Sequence, residues 1–312
     1  MIKFTVKKIL NFIKAKKANI DKKFVSKLLG ENKIRLIDIG AAGGVHEVWK
    51  PYEKNIDLIL FEPHEFSYKN LNKKNQKVIN KGLWSEKNKK QNFFRTQKPE
   101  CSGLLEPNYD YLKKFPNVER FKVVKTESTE TTTLDNEFNS QSFPHFIKID
   151  TEGAELEILK GGQSTLNNVL GLVVECVFFN LRKNQCKFEE IKNYLEEKNI
   201  HFFDFLNIIR WERHRFSYVG QPQISDVLFL TPPEIIIERY NSKKIDLNTL
   251  KIYVAILYIF NRSDLIHYMK DNLDLTTQSN LYLSEAYNLT EKKIKRANLA
   301  SKLYWFYFTW LH

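Results

Sequence analysis

A chain of 312 residues, 42% hydrophobic and 28% charged, can bury a substantial core and has the composition of an ordinary globular protein. Its formal net charge of +12 is compatible with nucleic acid, an anionic membrane face or an acidic acceptor as partner, but the lysines are scattered among Asn and Ile as a compositional bias would scatter them. Three cysteines, Cys101, Cys176 and Cys186, lack CxxC spacing, which argues against a disulfide framework or a structural zinc site and for a reducing compartment.

Residues 1–33 read as a helical lead-in. Ile2, Val6, Ile9, Leu10 and Ile13 recur at helical spacing against a lysine-rich face, and a second short helix is expected over 21–29, ended by Gly30. Lysines interrupt every short apolar run, so no secretory signal is read here, and no run of about 20 apolar residues exists to span a membrane. The basic amphipathic stretch suits an anionic lipid surface, although packing on the neighbouring domain is the plainer expectation. Ile34–Ile39 then forms a buried strand, Gly40, Gly43 and Gly44 a tight turn, and Ile56–Phe61 a second buried strand that closes on Glu62-Pro63. A helix is expected over 64–74, and a short strand from Val78-Ile79 leads to Gly82-Leu83. Residues 86–143 read as an excursion with extra antiparallel strands near 92–96 and 121–133, a turn at Cys101-Ser102-Gly103 and a short helix over 109–115.

The strand–helix alternation resumes with a strand at 146–150, a helix over 152–166, a strand over 170–178, a helix over 188–198, and strands at 201–206 and 225–230. Such alternation predicts an α/β domain with a mostly parallel sheet, placed at 34–231. Pro232-Pro233 is expected to stop the last strand in an extended linker. Residues 232–312 form a separate extension, with helices over 247–260 and 262–270 and an aromatic end, Leu303-Tyr304-Trp305-Phe306-Tyr307-Phe308. That end fits packing on the catalytic domain or a homodimer contact, with a membrane interface as the alternative.

Two segments carry chemistry. The glycine turn fails the dinucleotide pattern GxGxxG, because Ala42 and Val45 stand where glycines are required. It fits better the D/E-x-G-x-G-x-G turn of class I S-adenosylmethionine-dependent methyltransferases, with Asp38, Gly40 and Gly44 in register. Glu62, about 20 residues past the turn, is placed to accept hydrogen bonds from ribose hydroxyls. The second segment is Lys148-Ile149-Asp150-Thr151-Glu152-Gly153-Ala154-Glu155. Alternation sets Phe146, Lys148 and Asp150 on one face, and Lys and Asp are seldom buried unless paired, so this strand tip is expected to line a pocket. Asp38, Glu62, Asp150 and Glu175 all fall near strand ends, where open α/β sheets bind ligands. Glu155 suits a helix N-terminus as readily as a site.

KIDTEGAELEILKGG at 148–162, with DIGAAGG at 38–44, FEP at 61–63, TTTLD at 131–135 and SDVLFL at 225–230, resembles the FkbM family of methyltransferases, in order over about 35–230. The chain departs from the usual GANxG turn by reading Gly40-Ala41-Ala42-Gly43-Gly44. The resemblance implies a Rossmann-like sheet with an antiparallel last strand and helices on both faces. It also implies an S-adenosylmethionine-dependent O-methyltransferase acting on a sugar of a polysaccharide, glycolipid or related glycoconjugate. The cofactor would be held by Asp38, Gly40, Ala41, Gly43, Gly44, Glu62, Pro63, Gly82 and Leu83, the last two forming part of the adenine wall. Asp150 is the expected general base, with Glu152 or Glu175 as substitutes and Lys148 as orienting cation; His64 and His145 read as surface or loop residues. Carboxylates of this kind could bind Mg²⁺, but no His/Cys/carboxylate cluster has ligand spacing.

Two other classes compete. A nucleic-acid methyltransferase would suit the charge, but Asp150-Thr151-Glu152-Gly153 stands where an NPPY-like or DPPY-like motif would serve an exocyclic amino acceptor. A non-catalytic scaffold of a glycan-assembly cluster is disfavoured by the intact Asp38, Glu62, Asp150 and Glu152. The expected location is cytoplasmic, including the inner face of the membrane.

Overall fold

The computed structural model describes residues 20–41, 45–63, 68–69, 71, 76–138, 143–214, 219–273, 281–292 and 294–295. The basic stretch 1–17, most of the helix expected over 64–74, His64, Gly43, Gly44 and the aromatic end lie outside the described residues. The chain divides into two compact units: Ile34–His46 with Ile56–Pro232, and the described residues of Met1–Lys33, Glu47–Asn55 and Pro233–His312.

The first unit is built on an eight-stranded sheet. Its strands are β1 (Ile34–Ile39), β2 (Ile56–Phe61), β3 (Lys77–Ile79), β7 (Phe146–Ile149), β8 (Gly171–Val177), β9 (His201–Phe205), β10 (Ile209–Trp211) and β11 (Gln221–Leu230). The order is β10-β11-β8-β7-β1-β2-β3, and β9 also pairs with β11. Strands β3, β2, β1, β7 and β8 run parallel, and β11 lies antiparallel to β8. The interior strands are buried on both faces, which is why they read as near-continuous apolar runs rather than alternating ones. The expected parallel sheet with an antiparallel last strand is thus observed.

The excursion forms its own three-stranded sheet, β4 (Gly82–Leu83), β6 (Val123–Thr132) and β5 (Lys90–Thr96). The β5–β6 pair is antiparallel, and a short helix α2 (Tyr109–Leu112) follows β5. The first helix, α1, spans 20–29 in the other unit.

The helix expected over 152–166 is instead two pieces, α4 (Glu155–Lys160) and α5 (Gln163–Leu166), preceded by the one-turn α3 (Leu134–Glu137). It starts late because Glu152 and Gly153 have φ of 59° and 118°, which a right-handed helix cannot hold. It breaks at Gly161-Gly162 for a packing reason. A Cβ on Gly161 would fall 2.2 Å from the Trp84 carbonyl oxygen, and one on Gly162 2.8 Å from the Leu134 side chain. Asp135 then closes the joint by accepting bonds from the Ser164 and Thr165 amides at 2.9 and 2.8 Å. The unit's last helix, α6 (Phe188–Glu196), buries Ile191 and Leu195.

The second unit is helical, with α7 (Pro233–Asn241), α8 (Leu247–Ile259), α9 (Ser263–Asn272) and a helix α10 over 281–292. The extended linker expected after Pro232 is absent. Helix α7 begins at Pro233 itself, because a first helical position needs no amide hydrogen and favours the fixed φ of proline. Asp246 caps α8 by accepting from the Thr249 amide at 2.8 Å, and Ile252 through Ile259 are buried on every face of that helix. Among the described residues no helix is long and apolar enough to cross a membrane.

Candidate active site

The strand order reverses between β1 and β7, so the connections leaving these two strands depart to opposite sides and leave a crevice at their carboxyl ends. Gly40 sits at that point with φ +83°, its amide bonded to the Phe61 carbonyl at 3.0 Å. A Cβ there would fall 1.7 Å from the Asp150 carbonyl oxygen, so only glycine lets β1 and β7 meet this way.

A cavity of about 200 Å³ opens above this crevice. Gly40, Glu62 and Pro63 form one side, Gly82, Leu83 and Phe93 the next, the loop Pro99 to Leu104 a third, and Asp150, Thr151 and Glu152 the last. Glu62, Pro63, Gly82, Leu83, Gly40, Asp150 and Glu152 therefore come together as the motifs suggested. Ala41 does not join them. It is buried just past the end of β1, in a cluster with Leu60 and Leu71.

Asp38 and Lys148 stand one layer behind the wall. The β1–β7 register places them directly opposite each other, with Lys148 Nζ 3.6 Å from the Asp38 carboxylate and 2.9 Å from that of Asp150. Burial would drive a proton off Lys148, but Asp150 and Asp38 outweigh it and hold the ammonium above its ordinary pKa. Asp38 is almost wholly enclosed, and among the described residues neither of its oxygens has a hydrogen bond of good geometry. Burial therefore pushes it up to about 6, with the Lys148 charge offsetting only part. The Asp38 carboxylate is a buried anion short of partners.

The turn Thr151-Glu152-Gly153 is shaped by Glu155. Its Oε1 accepts from the Thr151 amide, the Thr151 hydroxyl and the Gly153 amide, each at 3.0 Å. Burial raises the Glu155 carboxyl despite these bonds. Its place in the motif is thus structural: it ties the turn rather than lining the cavity. Glu155→Ala leaves two buried amides unpaired, so it is expected to lower stability by about 1–3 kcal/mol, measured as an earlier urea unfolding midpoint. An unchanged midpoint would show that the turn holds without it.

Glu152 turns toward the cavity but is restrained by Arg182, a residue on which no sequence motif falls. The Arg182 side chain is fully buried. It donates to Glu152 Oε2 at 2.6 Å, to the Cys101 carbonyl at 2.6 Å and to the Leu105 carbonyl at 3.4 Å. One guanidinium thus ties the Glu152 turn to the facing loop. Burial nonetheless leaves the Glu152 carboxyl raised, with Arg182 opposing the shift.

Glu175 does not reach the cavity wall. It is half-buried on β8, in register with Asp226 on β11, and burial first, then the charges of Asp150, Glu152, Glu155 and Asp226, push its carboxyl well above the carboxylate range. His145 lies at the far end of β7, where its Nδ1 accepts from the Arg35 amide at 2.9 Å. The cysteines are free and buried, and among the described residues no group of three or more His, Cys, Asp or Glu side chains is arranged for a metal.

The model of the methyltransferase FkbM domain matches residues 38–202. No curated protein matches the chain. Among solved structures, TrmK of M. capricolum, solved with S-adenosyl-homocysteine, is 10% identical, covering 87% of this chain and 96% of its own, at TM-score 0.31. The precorrin-6Y C5,15-methyltransferase of Geobacter metallireducens is 10% identical over 68% of this chain and 88% of its own, at TM-score 0.32. A TehB-like methyltransferase of Corynebacterium glutamicum is 8% identical over 73% and 96%, at TM-score 0.31. With the family model spanning more than half of its residues, the chain belongs to the FkbM family of S-adenosylmethionine-dependent methyltransferases.

Proposed function

We propose that this enzyme methylates a sugar hydroxyl of a glycoconjugate, with Asp150 as general base. The observation that carries the reading is the Asp150 carboxylate on the cavity wall, held through one oxygen by Lys148 at 2.9 Å. Its second oxygen holds no hydrogen bond among the described residues and can receive a proton.

The residues present suit S-adenosylmethionine. Glu62 would accept hydrogen bonds from the ribose hydroxyls, and Leu83, Phe93, Leu104 and Ile158, which line the cavity, would give the base an apolar surround. The under-partnered Asp38 supplies negative charge behind the wall for a cationic ligand. The bound cofactor supplies a methyl group already activated on a sulfonium, so the protein's work is alignment and proton removal. A sugar hydroxyl is a weak nucleophile. Asp150 takes its proton as the oxygen attacks, while Lys148 fixes the orientation of the carboxylate. Glu152 is tied to Arg182, and Glu175 is raised and set back from the wall, so neither competes for that role.

The test is incubation with labelled S-adenosylmethionine and a panel of glycans, followed by mass analysis of the product. A base-stable methyl ether on a sugar oxygen supports the reading; a methyl ester or a methylated amine would overturn it. Glu62→Ala is expected to weaken cofactor binding about tenfold or more, through loss of charge-assisted bonds. Unaltered affinity by equilibrium dialysis would remove Glu62 from the ribose.

A further inference from the structure

Arg120 stands at the edge of the loop that walls the cavity. Its carbonyl accepts from the Lys98 amide at 3.0 Å, directly before Pro99 and Glu100 of the wall. Its guanidinium carbon lies 4.8 Å from the ring centre of Phe121 and 4.7 Å from that of Trp211, which packs on Phe121 at 5.8 Å. Two rings thus lie against the cation.

What the cation lacks is an anion. No carboxylate among the described residues forms an ion pair with Arg120, and its Nε is buried without an acceptor. By contrast, Arg182 has Glu152, and Arg95 has Glu127 at 3.3 Å. Nor is the Arg120 charge remote from the chemistry, since it acts on the Glu152 carboxyl and on Cys101, whose carbonyl Arg182 holds. Arg213 over Phe115 at 5.9 Å and Lys114 over Tyr111 at 5.0 Å extend the same arrangement of cations laid on rings.

We propose that Arg120, laid on Phe121 and Trp211 at the edge of the loop that walls the cavity, binds an oxyanion of the acceptor, a carboxylate or a phosphate. This rests on the sugar-acceptor reading above and sharpens it: the acceptor is an acidic saccharide. Guanidinium binds both anions through paired N–H donors, a geometry that a lysine's point charge lacks.

The experiment is calorimetric titration of the full chain, saturated with S-adenosyl-homocysteine, with glucuronate, glucose 6-phosphate, glucose and inorganic phosphate. Glucuronate or glucose 6-phosphate is expected to bind more tightly than glucose. Arg120→Gln is expected to reduce that preference about tenfold or more, with Arg120→Lys intermediate and cofactor affinity unchanged as the control for folding. Sugars bound without regard to charge, or a preference that survives in Arg120→Gln, would overturn the anion site and leave the sugar reading intact. Arg120-dependent binding of phosphate with no sugar bound would support the anion site and sink the sugar acceptor. Absence of any Arg120-dependent binding would overturn the proposal.

Discussion

Asp150→Asn is expected to keep cofactor affinity and lose turnover by roughly 10²-fold or more, because the amide preserves shape but cannot take a proton. The position favours a clean result. Asp150 lies at the end of β7, its amide bonded to the Ile39 carbonyl at 3.0 Å, so the backbone holds the residue without help from its side chain. The Lys148 ammonium, 2.9 Å away, keeps a hydrogen-bond acceptor in the asparagine oxygen. Lys148 also retains Asp38 at 3.6 Å, so its charge is not orphaned by the change. Single-turnover measurement with saturating acceptor separates the chemical step from binding. Turnover near the wild-type value would return the role of base to Glu152 or Glu175.

Arg182→Met is expected to destabilise the sheet-bearing unit by about 3–5 kcal/mol, the usual consequence of removing one partner from a buried ion pair. Such a loss is a large part of the 5–15 kcal/mol typical of a folded chain. Here the change removes the counter-ion of Glu152 and deprives the Cys101 and Leu105 carbonyls of their donor. Glu152 must also hold φ +59° without its anchor, a conformation that costs a non-glycine residue about 1 kcal/mol or more. The double variant Arg182→Met with Glu152→Gln is expected to recover part of the loss, since the uncompensated charge is then gone. Urea titration followed by circular dichroism measures both. Equal midpoints for wild type and Arg182→Met would show that the pair contributes nothing net, as can happen when desolvation cancels attraction.

The sequence by itself determined the sheet and the main wall of the site. Parallel strands buried on both faces must be apolar runs, so β1, β7 and β8 were visible as such, and a glycine turn followed by an acid at the next strand end marks one side of the cavity. Local conformation was also readable where a residue type forces it, as at Gly40 with its positive φ. Tertiary structure alone decided which charges meet. Asp38 and Lys148 are far apart in the chain and become opposed only through the register of β1 on β7. Arg182 meets Glu152 because the segment after β8 pairs with the excursion, where Pro107 and Arg182 form a bridge. The break at Gly161-Gly162 likewise came from Trp84 and Leu134 pressing on the helix, although the local pattern continues through it. Periodicity reports which face of an element is buried. It carries no information on what lies across from that face, and pairing between distant side chains depends on that alone.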